Sequence, residues 1–443
     1  MYLPNEVKKA ISMLEKSGYE AYAVGGCVRD SLLGKIPTDY DITTSAFPEE
    51  TKSVFKNEHV IETGIKHGTV TVLINNYPIE ITTFRIDKNY SDNRHPDSVE
   101  FTRSLKEDLS RRDFTVNALA YSEKTGLVDM FGGLSDIEHK IIRCVGSPDA
   151  RFEEDALRIM RGLRFASCLG FDLEEKTAAS IYKNRELLKN VSAERLFSEL
   201  KKLICGKDAA KILVEHAEAL SVLIPELLPL KGFEQHHFRH DKDVLGHTVA
   251  VLQNVPPVSA LRLAALLHDI AKPLCQSFDE NGTAHYFGHA PLSAQIAEEI
   301  LLRLKSDNET KNAVCLLIRH HGDRFPAEPK AIKRMLSKIG PKNFDDLITL
   351  MRADDLGKRP EYYPGEEFFQ NYKNIAAKII ADEECFSLKN LALNGRDLIS
   401  AGFAPGPEMG RILSALLEAV LEENLPNQKE KLLDYAIKNF LQR

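Results

Sequence analysis

A chain of 443 residues is longer than one hydrophobic core ordinarily organises, so roughly two to four domains are expected. Its 43% apolar and 28% charged residues are ordinary for globular protein, and no stretch offers about 18 uninterrupted apolar residues, which argues against a membrane-spanning helix. The net charge of −7 argues against a generally polybasic nucleic-acid binder, so any contact with RNA has to use local patches.

In chain order, MYLPNEVKKAISMLEKSGYEAYAV carries charges throughout and lacks the apolar core of a secretory leader, so a cytoplasmic location is expected. Residues 5–17 within it read as a short amphipathic helix. YEAYAVGG, DYDITT, GTVTVLI and YPIEITTFR then cluster or alternate β-branched residues as strands do. From SPDARFEEDALRIMRGLRFASCLGF onward the apolar spacing is helical and almost no strand signal returns. The predicted fold class is α+β, a mixed α/β head followed by helices, with breaks near 146–149, 205–208, 229–242 and 356–366. These give four segments: a head over 1–145, a helical neck over 146–206, a histidine-bearing helical body over 207–360 and a helical tail over 361–443. Seven scattered cysteines without a Cys-x-x-Cys suit reduced thiols rather than a disulfide framework or a zinc ribbon.

The segment AVGGCVRDSLLGKIPTDYDITT holds the densest chemistry. Gly25 and Gly26 let the backbone approach phosphate closely, and the following helix N-terminus and Arg29 supply positive partners for a triphosphate. On a strand, Asp39 and Asp41 point the same way while Tyr40 and Ile42 pack behind. Paired carboxylates of this kind can hold two Mg²⁺ ions for nucleotidyl transfer, and Glu80 is a candidate third carboxylate. Each fragment alone reads equally as an ordinary turn or a solvated strand.

Taken together, the stretch resembles the class II nucleotidyltransferases of the DNA polymerase β superfamily, the family of bacterial CCA-adding enzymes and poly(A) polymerases. By that resemblance SRRDFTVNALAY is the family's second motif, whose Arg112, Asp113 and Asn117 contact the nucleotide's phosphates and sugar. GLVDMFGGLSDIEHKIIRCVG resembles the hinge between head and neck, and AERLFSELKKLI the motif that stabilises the neck helices. In FEEDALRIMRGLRFA, Asp155, Arg158, Arg161 and Arg164 recur every three residues, as on one helix face. A carboxylate beside a guanidinium offers an acceptor beside donors, which complements cytosine N4 and N3 or adenine N6 and N1. Selection of C and A without a nucleic-acid template is the role the family assigns to this motif. The polar segment TTFRIDKNYSDNRHPDSVEFTRSL resembles the family's flexible loop, whose full length accompanies addition of A. His95 stands there where many relatives carry Arg.

Further on, His247, the pair His268-Asp269 and Asp354 fall in segments read as helical, with His289, His320 and His321 among them. Imidazoles and carboxylates gathered from separate helices can hold divalent transition ions that activate water for phosphoester hydrolysis. The ordered set resembles the HD phosphohydrolase superfamily, and the C-terminal stretch resembles the last module of HD-bearing CCA-adding enzymes, which helps hold tRNA. The resemblance therefore implies Mg²⁺ at the head, a divalent transition metal at the HD set, and tRNA, ATP and CTP as partners. Poly(A) polymerase and an A-adding enzyme are the rival readings within the class. A nucleotide-responsive HD protein with a vestigial head is the rival outside it.

Overall fold

The computed structural model describes residues 1–88 and 98–441, in two compact units, Met1–Leu228 and Pro229–Arg443. His95 lies outside the described residues.

The first unit opens with α1 (Asn5–Lys16), whose Val7, Ala10, Ile11 and Leu14 recur at helical spacing and are buried. There follow β1 (Ala21–Val24), α2 (Gly26–Leu32), β2 (Asp41–Thr44), α3 (Pro48–Val54), β3 (His59–Ile61), β4 (Thr69–Ile74) and β5 (Tyr77–Thr83). The antiparallel pair β6 (Arg85–Lys88) and β7 (Ser98–Phe101), then α4 (Leu105–Ser110), β8 (Leu119–Ser122) and β9 (Gly126–Asp129) complete the α/β part. A seven-stranded sheet runs in the order β3-β4-β5-β2-β1-β8-β9. Only β2 and β5 are parallel in it, with Asp41 opposite Glu80. Val70, Val72 and Ile74 of β4 point into the core at every second position, whereas β1, central and covered on both faces, is buried throughout.

The helical part continues through α5 (Gly133–His139), β10 (Ile141–Ile142), α6 (Pro148–Glu154), α7 (Leu157–Leu169), β11 (Asp172–Leu173), α8 (Glu175–Asn184) and α9 (Ala193–Ile204). Helix α7 packs against α9 and against α10 (Ala209–Glu215), which leads into α11 (Ala217–Leu220). Residues 207–228 pack with the first unit, which runs to Leu228.

The second unit is helical apart from one short ribbon. It contains α12 (Val244–Asn254), α13 (Ser259–Leu267), α14 (Lys272–Cys275), β12 (Ser277–Phe278), β13 (Ala284–His285), α15 (His289–Arg303), α16 (Asn308–His320), α17 (Pro329–Ile339) and α18 (Pro341–Leu356). Helices α12, α13, α15, α16 and α18 pack together. They are followed by α19 (Glu366–Ala381), α20 (Gly395–Ser400), α21 (Pro407–Leu421) and α22 (Lys429–Ala436), with a satellite core that includes Leu398, Ile412, Leu416 and Leu432. The expected α+β architecture is present, and strands return beyond 145 only as two-residue pieces among the described residues. No helix among those residues is long and apolar enough to cross a membrane, and all seven cysteines are free thiols.

Candidate functional site

The alternation read from DYDI is present: Tyr40 and Ile42 are buried, while Asp39 and Asp41 face outward. The strand itself starts only at Asp41, so Asp39 stands on the approach to it. The reason is that β1, the neighbour of β2, ends at Val24 opposite Asp41, and the chain then turns away at Gly25 with φ 79°. A Cβ at Gly25 would meet Arg112 Nη1 at 3.2 Å, so both the backbone and the space favour glycine. Protein crowding around the Asp41 carboxyl, then the charges of Glu80 and Asp39, push it up to about 6 against the pull of Arg112. A divalent cation would offset the mutual repulsion of these carboxylates, so the donor set fits a hard metal ion.

One cleft of about 440 Å³ is lined by Gly25, Gly26, Arg29, Asp39, Asp41, Arg112, Asp113, Asn117, Asp155, Arg158, Arg161 and Arg164. It therefore gathers every residue expected from the nucleotidyltransferase motifs apart from Glu80, and adds Asp30, Arg111 and Phe165.

The cleft is braced from beneath. Asp108, fully buried, takes Arg111 at 2.8 Å, Arg112 at 3.3 Å and the Thr43 hydroxyl at 3.0 Å. Burial opposes its ionisation, yet the two guanidinium groups hold it below the usual carboxylate range. Two guanidinium groups thus share one buried carboxylate at the floor of the cleft. Arg29 donates to Asn117, whose amide donates to Asp113 at 3.1 Å. Asp113 also accepts from the Phe114 amide at 2.8 Å and from Arg161. Burial again opposes ionisation, but Arg161 and Asn117 outweigh it and hold Asp113 at about 2. The Phe165 ring carries the guanidinium carbon of Arg164 at 3.8 Å, with those of Arg29 and Arg161 at 5.1 and 5.3 Å. Arg164 is tied in turn to Glu199 of α9. Sequence reasoning missed Asp108, Phe165 and Glu199. The first sits four residues before Arg112, a helical ion-pair spacing that was there to be read.

Asp155 departs from the expected helix face. Its backbone is extended (φ −138°, ψ 102°), it ends α6, and its carboxylate accepts from the Leu157 amide at 3.1 Å, capping α7. Only Arg158, Arg161 and Arg164 keep the spacing of three on one helix. The second carboxylate oxygen of Asp155 lies 3.3 Å from Arg195, while Arg158 donates to Glu154 and to the carbonyls of Arg111 and Arg151.

In the second unit, His247 of α12 and Asp354 of α18 meet at 3.0 Å. His268 and Asp269 sit in the turn just after α13 rather than within a helix. At that helix end His268 Nδ1 hydrogen-bonds the Ala265 carbonyl at 2.8 Å, one of the oxygens a helix C-terminus leaves free. His321, at the end of α16, repeats the device on the Ile318 carbonyl, and His289, at the start of α15, has its Nδ1 on the Tyr286 carbonyl, at 2.7 Å each. Each ring thereby turns its Nε2 inward, the orientation metal-binding imidazoles use, and those of His289 and His321 lie 3.3 Å apart. These nitrogens converge on Asp269: His268 at 3.0 Å and His247 at 3.4 Å face Oδ2, His289 at 3.5 Å and His321 at 3.8 Å face Oδ1. Two triads, His247-His268-Asp354 and His268-Asp269-His321, have the spacing of metal ligands. Buried His268 Nε2 and Asp269 Oδ2 make no hydrogen bond despite their closeness, since the alignment is wrong for one. Burial keeps His247 and His321 below the usual imidazole range and hence neutral, as ligation requires. His320 turns aside to Asp323 at 2.8 Å. Lys272 and Lys358 neutralise Asp269 and Asp354 at 2.7 and 2.8 Å.

Paired carboxylates at the start of the central strand of a mixed sheet, opening into a cleft floored by arginines, define a nucleotidyltransferase. Comparison with known proteins narrows the class. Residues 21–143 match the poly A polymerase head domain, residues 170–230 the probable RNA- and SrmB-binding site of polymerase A, and residues 286–436 a putative tRNA nucleotidyltransferase domain 2. A CCA-adding enzyme of Lactiplantibacillus plantarum is 37% identical over 441 residues, covering 98% of this chain and 97% of that one. One of Streptococcus thermophilus is 34% identical over 98% and 97%. Among solved structures, the Bacillus stearothermophilus CCA-adding enzyme in complex with CTP is 30% identical, with a TM-score of 0.74 over 100% and 99% of the two chains. This chain belongs to the CCA-adding enzyme family of tRNA nucleotidyltransferases.

Proposed function

We propose that this chain works in the cytoplasm, adding C, C and A in turn to the 3′ end of tRNA, or restoring that end, from CTP and ATP. The observation that carries this reading is the single cleft, where paired carboxylates, arginines and the Asp155-Arg158 pair come together. A relative 30% identical was solved with CTP, which supports that nucleotide as a partner. Residues 1–145 act as the head, 146–206 as the neck that reads the base, 207–360 as the histidine-bearing body and 361–443 as a tail against tRNA.

Asp39 and Asp41 hold Mg²⁺, which when bound acidifies the attacking 3′-hydroxyl and steadies the leaving pyrophosphate. The hydroxyl oxygen joins the α-phosphorus as the bond to pyrophosphate breaks and the hydroxyl proton is lost. Arg111 and Arg112, both held by Asp108, face the triphosphate. Asp113 and Asn117 position Arg161 and Arg29. Asp155 and Arg158 present acceptor and donors to the base edge of C or A. The test offers purified protein tRNA transcripts ending at the discriminator base, at C or at CC, with CTP and ATP separately and together. Stepwise C, C, A products support the reading; A on CC ends alone means an A-adding enzyme, and long A tracts mean a poly(A) polymerase.

A second activity is favoured by the convergence of imidazole nitrogens on Asp269. His247, His268, Asp269 and Asp354, joined by His289 and His321, hold divalent transition ions of the Mn²⁺, Fe²⁺ or Ni²⁺ kind, which supply activated water when bound. Small phosphoesters such as a 2′,3′-cyclic nucleotide are hydrolysed there: water oxygen joins phosphorus, one ester bond breaks, and the freed oxygen takes a proton. Hydrolysis and bound metal, measured across a metal panel, test it. Absence of both reduces the bundle to a scaffold.

A further inference from the structure

We propose that Phe287, backed by His285, is a base-stacking face of the histidine-lined cleft, so that this second site takes nucleoside phosphoesters in preference to base-free ones. The inference rests on the hydrolase reading above. Phe287 is 79% exposed, a costly place for a large apolar ring in a protein whose aromatic side chains are otherwise mostly covered. Its orientation is nevertheless set. The ring lies parallel to the His285 imidazole, with centroids 5.3 Å apart and 10° between planes. His285 is anchored to Asp279 at 3.1 Å, and Asp279 organises the turn between β12 and β13 by accepting from the amides of Asn281 and Thr283 at 2.9 Å each. The stacked pair is therefore carried on a braced ribbon rather than on a loose loop.

Its location supplies the second half of the argument. Phe287 lies two residues before His289, whose Nε2 faces Asp269 at 3.5 Å, and all three line one cleft. Arg239, Lys272, Arg324 and Lys358 line it as well. Metal-type donors and cations in this lining suit a phosphoester, and an open planar ring in the same lining suits the base attached to it. Base stacking tolerates any base because every base offers a π-face. The cleft volume of about 270 Å³ is close to the lower end, ~300 Å³, of small-ligand pockets, room for one nucleotide unit. That unit is either a free nucleotide or the last residue of an RNA.

The test uses the full chain loaded with Mn²⁺ or Ni²⁺ and three substrates: 2′,3′-cyclic AMP, ribose 5-phosphate and a short RNA ending in a 2′,3′-cyclic phosphate. F287A is expected to raise KM for cyclic AMP about tenfold with kcat within about twofold, and to leave ribose 5-phosphate unaffected. The RNA arm shows which source of the nucleotide the site prefers. An equal change on both small substrates, or none on cyclic AMP, overturns the proposal. Because the chain contains no tryptophan, F287W introduces a single reporter. Its emission should be quenched by cyclic AMP, with or without metal, and not by ribose 5-phosphate. If wild type hydrolyses nothing with any metal, the hydrolase reading fails, and quenching alone then decides whether Phe287 stacks a base.

Discussion

Arg161 grips the buried carboxylate of Asp113 with two nitrogens, Nε at 2.8 Å and Nη2 at 2.6 Å. The contact joins α7 to the second motif of the head, so each side of the nucleotide cleft is positioned by the other. R161A should lower nucleotide addition at least about tenfold and stability by roughly 2–3 kcal/mol. That is short of the ~3–5 kcal/mol of a fully buried pair because 35% of the Arg161 side chain is exposed. R161K, which keeps the charge but loses the two-nitrogen grip, should recover only part of either. Incorporation assays and urea unfolding check both; unchanged activity in R161A removes the bracing role.

Asp113 gives the same network a pH signature. Held at about 2 in the folded chain, against an ordinary value near 4, it contributes stability that is present above about pH 4 and lost as the pH falls through its folded value. The loss amounts to about 2 kcal/mol between about pH 4 and pH 2. In D113N that acid-side loss should shrink by this amount, as read from unfolding at stepped pH.

Asp41 shows the opposite sign. Pushed up to about 6, its ionised form opposes folding at neutral pH, where the unfolded chain ionises it freely. D41N should therefore raise the thermal midpoint in metal-free buffer at pH 7.5 and leave it unchanged near pH 4, where Asp41 is protonated in the fold. D39A and D41A should each abolish nucleotide addition with the fold intact. Incorporation above about a tenth of wild type in either removes them as metal ligands.

D155A should lose discrimination against UTP and GTP more than it loses triphosphate affinity, since the carboxylate offers the acceptor half of the base contact. Selectivity for CTP and ATP equal to the parent's would discard the base-reading role.

H268A combined with D269A should eliminate hydrolysis and bound transition metal while CCA addition stays within about twofold, because the two clefts lie in different units. Equal loss of both activities would show that the sites are not separable.

Much of this was legible in the chain. Strand alternation placed Tyr40 and Ile42 inside and Asp39 and Asp41 outside, and the twelve residues picked out by the motifs line one cleft. Asp155 was misread because FEEDALRIMRGLRFA has uninterrupted helical spacing, and only the side chain's own bond to the Leu157 amide reveals the break. His268-Asp269 was read as helical for the same reason: ALRLAALLHDIAKP shows no punctuation where α13 ends. The convergence of His289 and His321 on Asp269 joins residues 20 and 52 positions away in sequence, which no local pattern encodes. Phe165 and Glu199 look like ordinary core and surface residues until the arginines between them are seen.

The passage from one unit to the other at Leu228–Pro229 has an evolutionary corollary. Substitutions in the imidazole cluster fall within the second unit, apart from the segment of the first unit that carries Asp39 and Asp41. On the hydrolase reading proposed above, a lineage can retune the second chemistry through the imidazole cluster alone, leaving every residue of the transferase cleft unchanged.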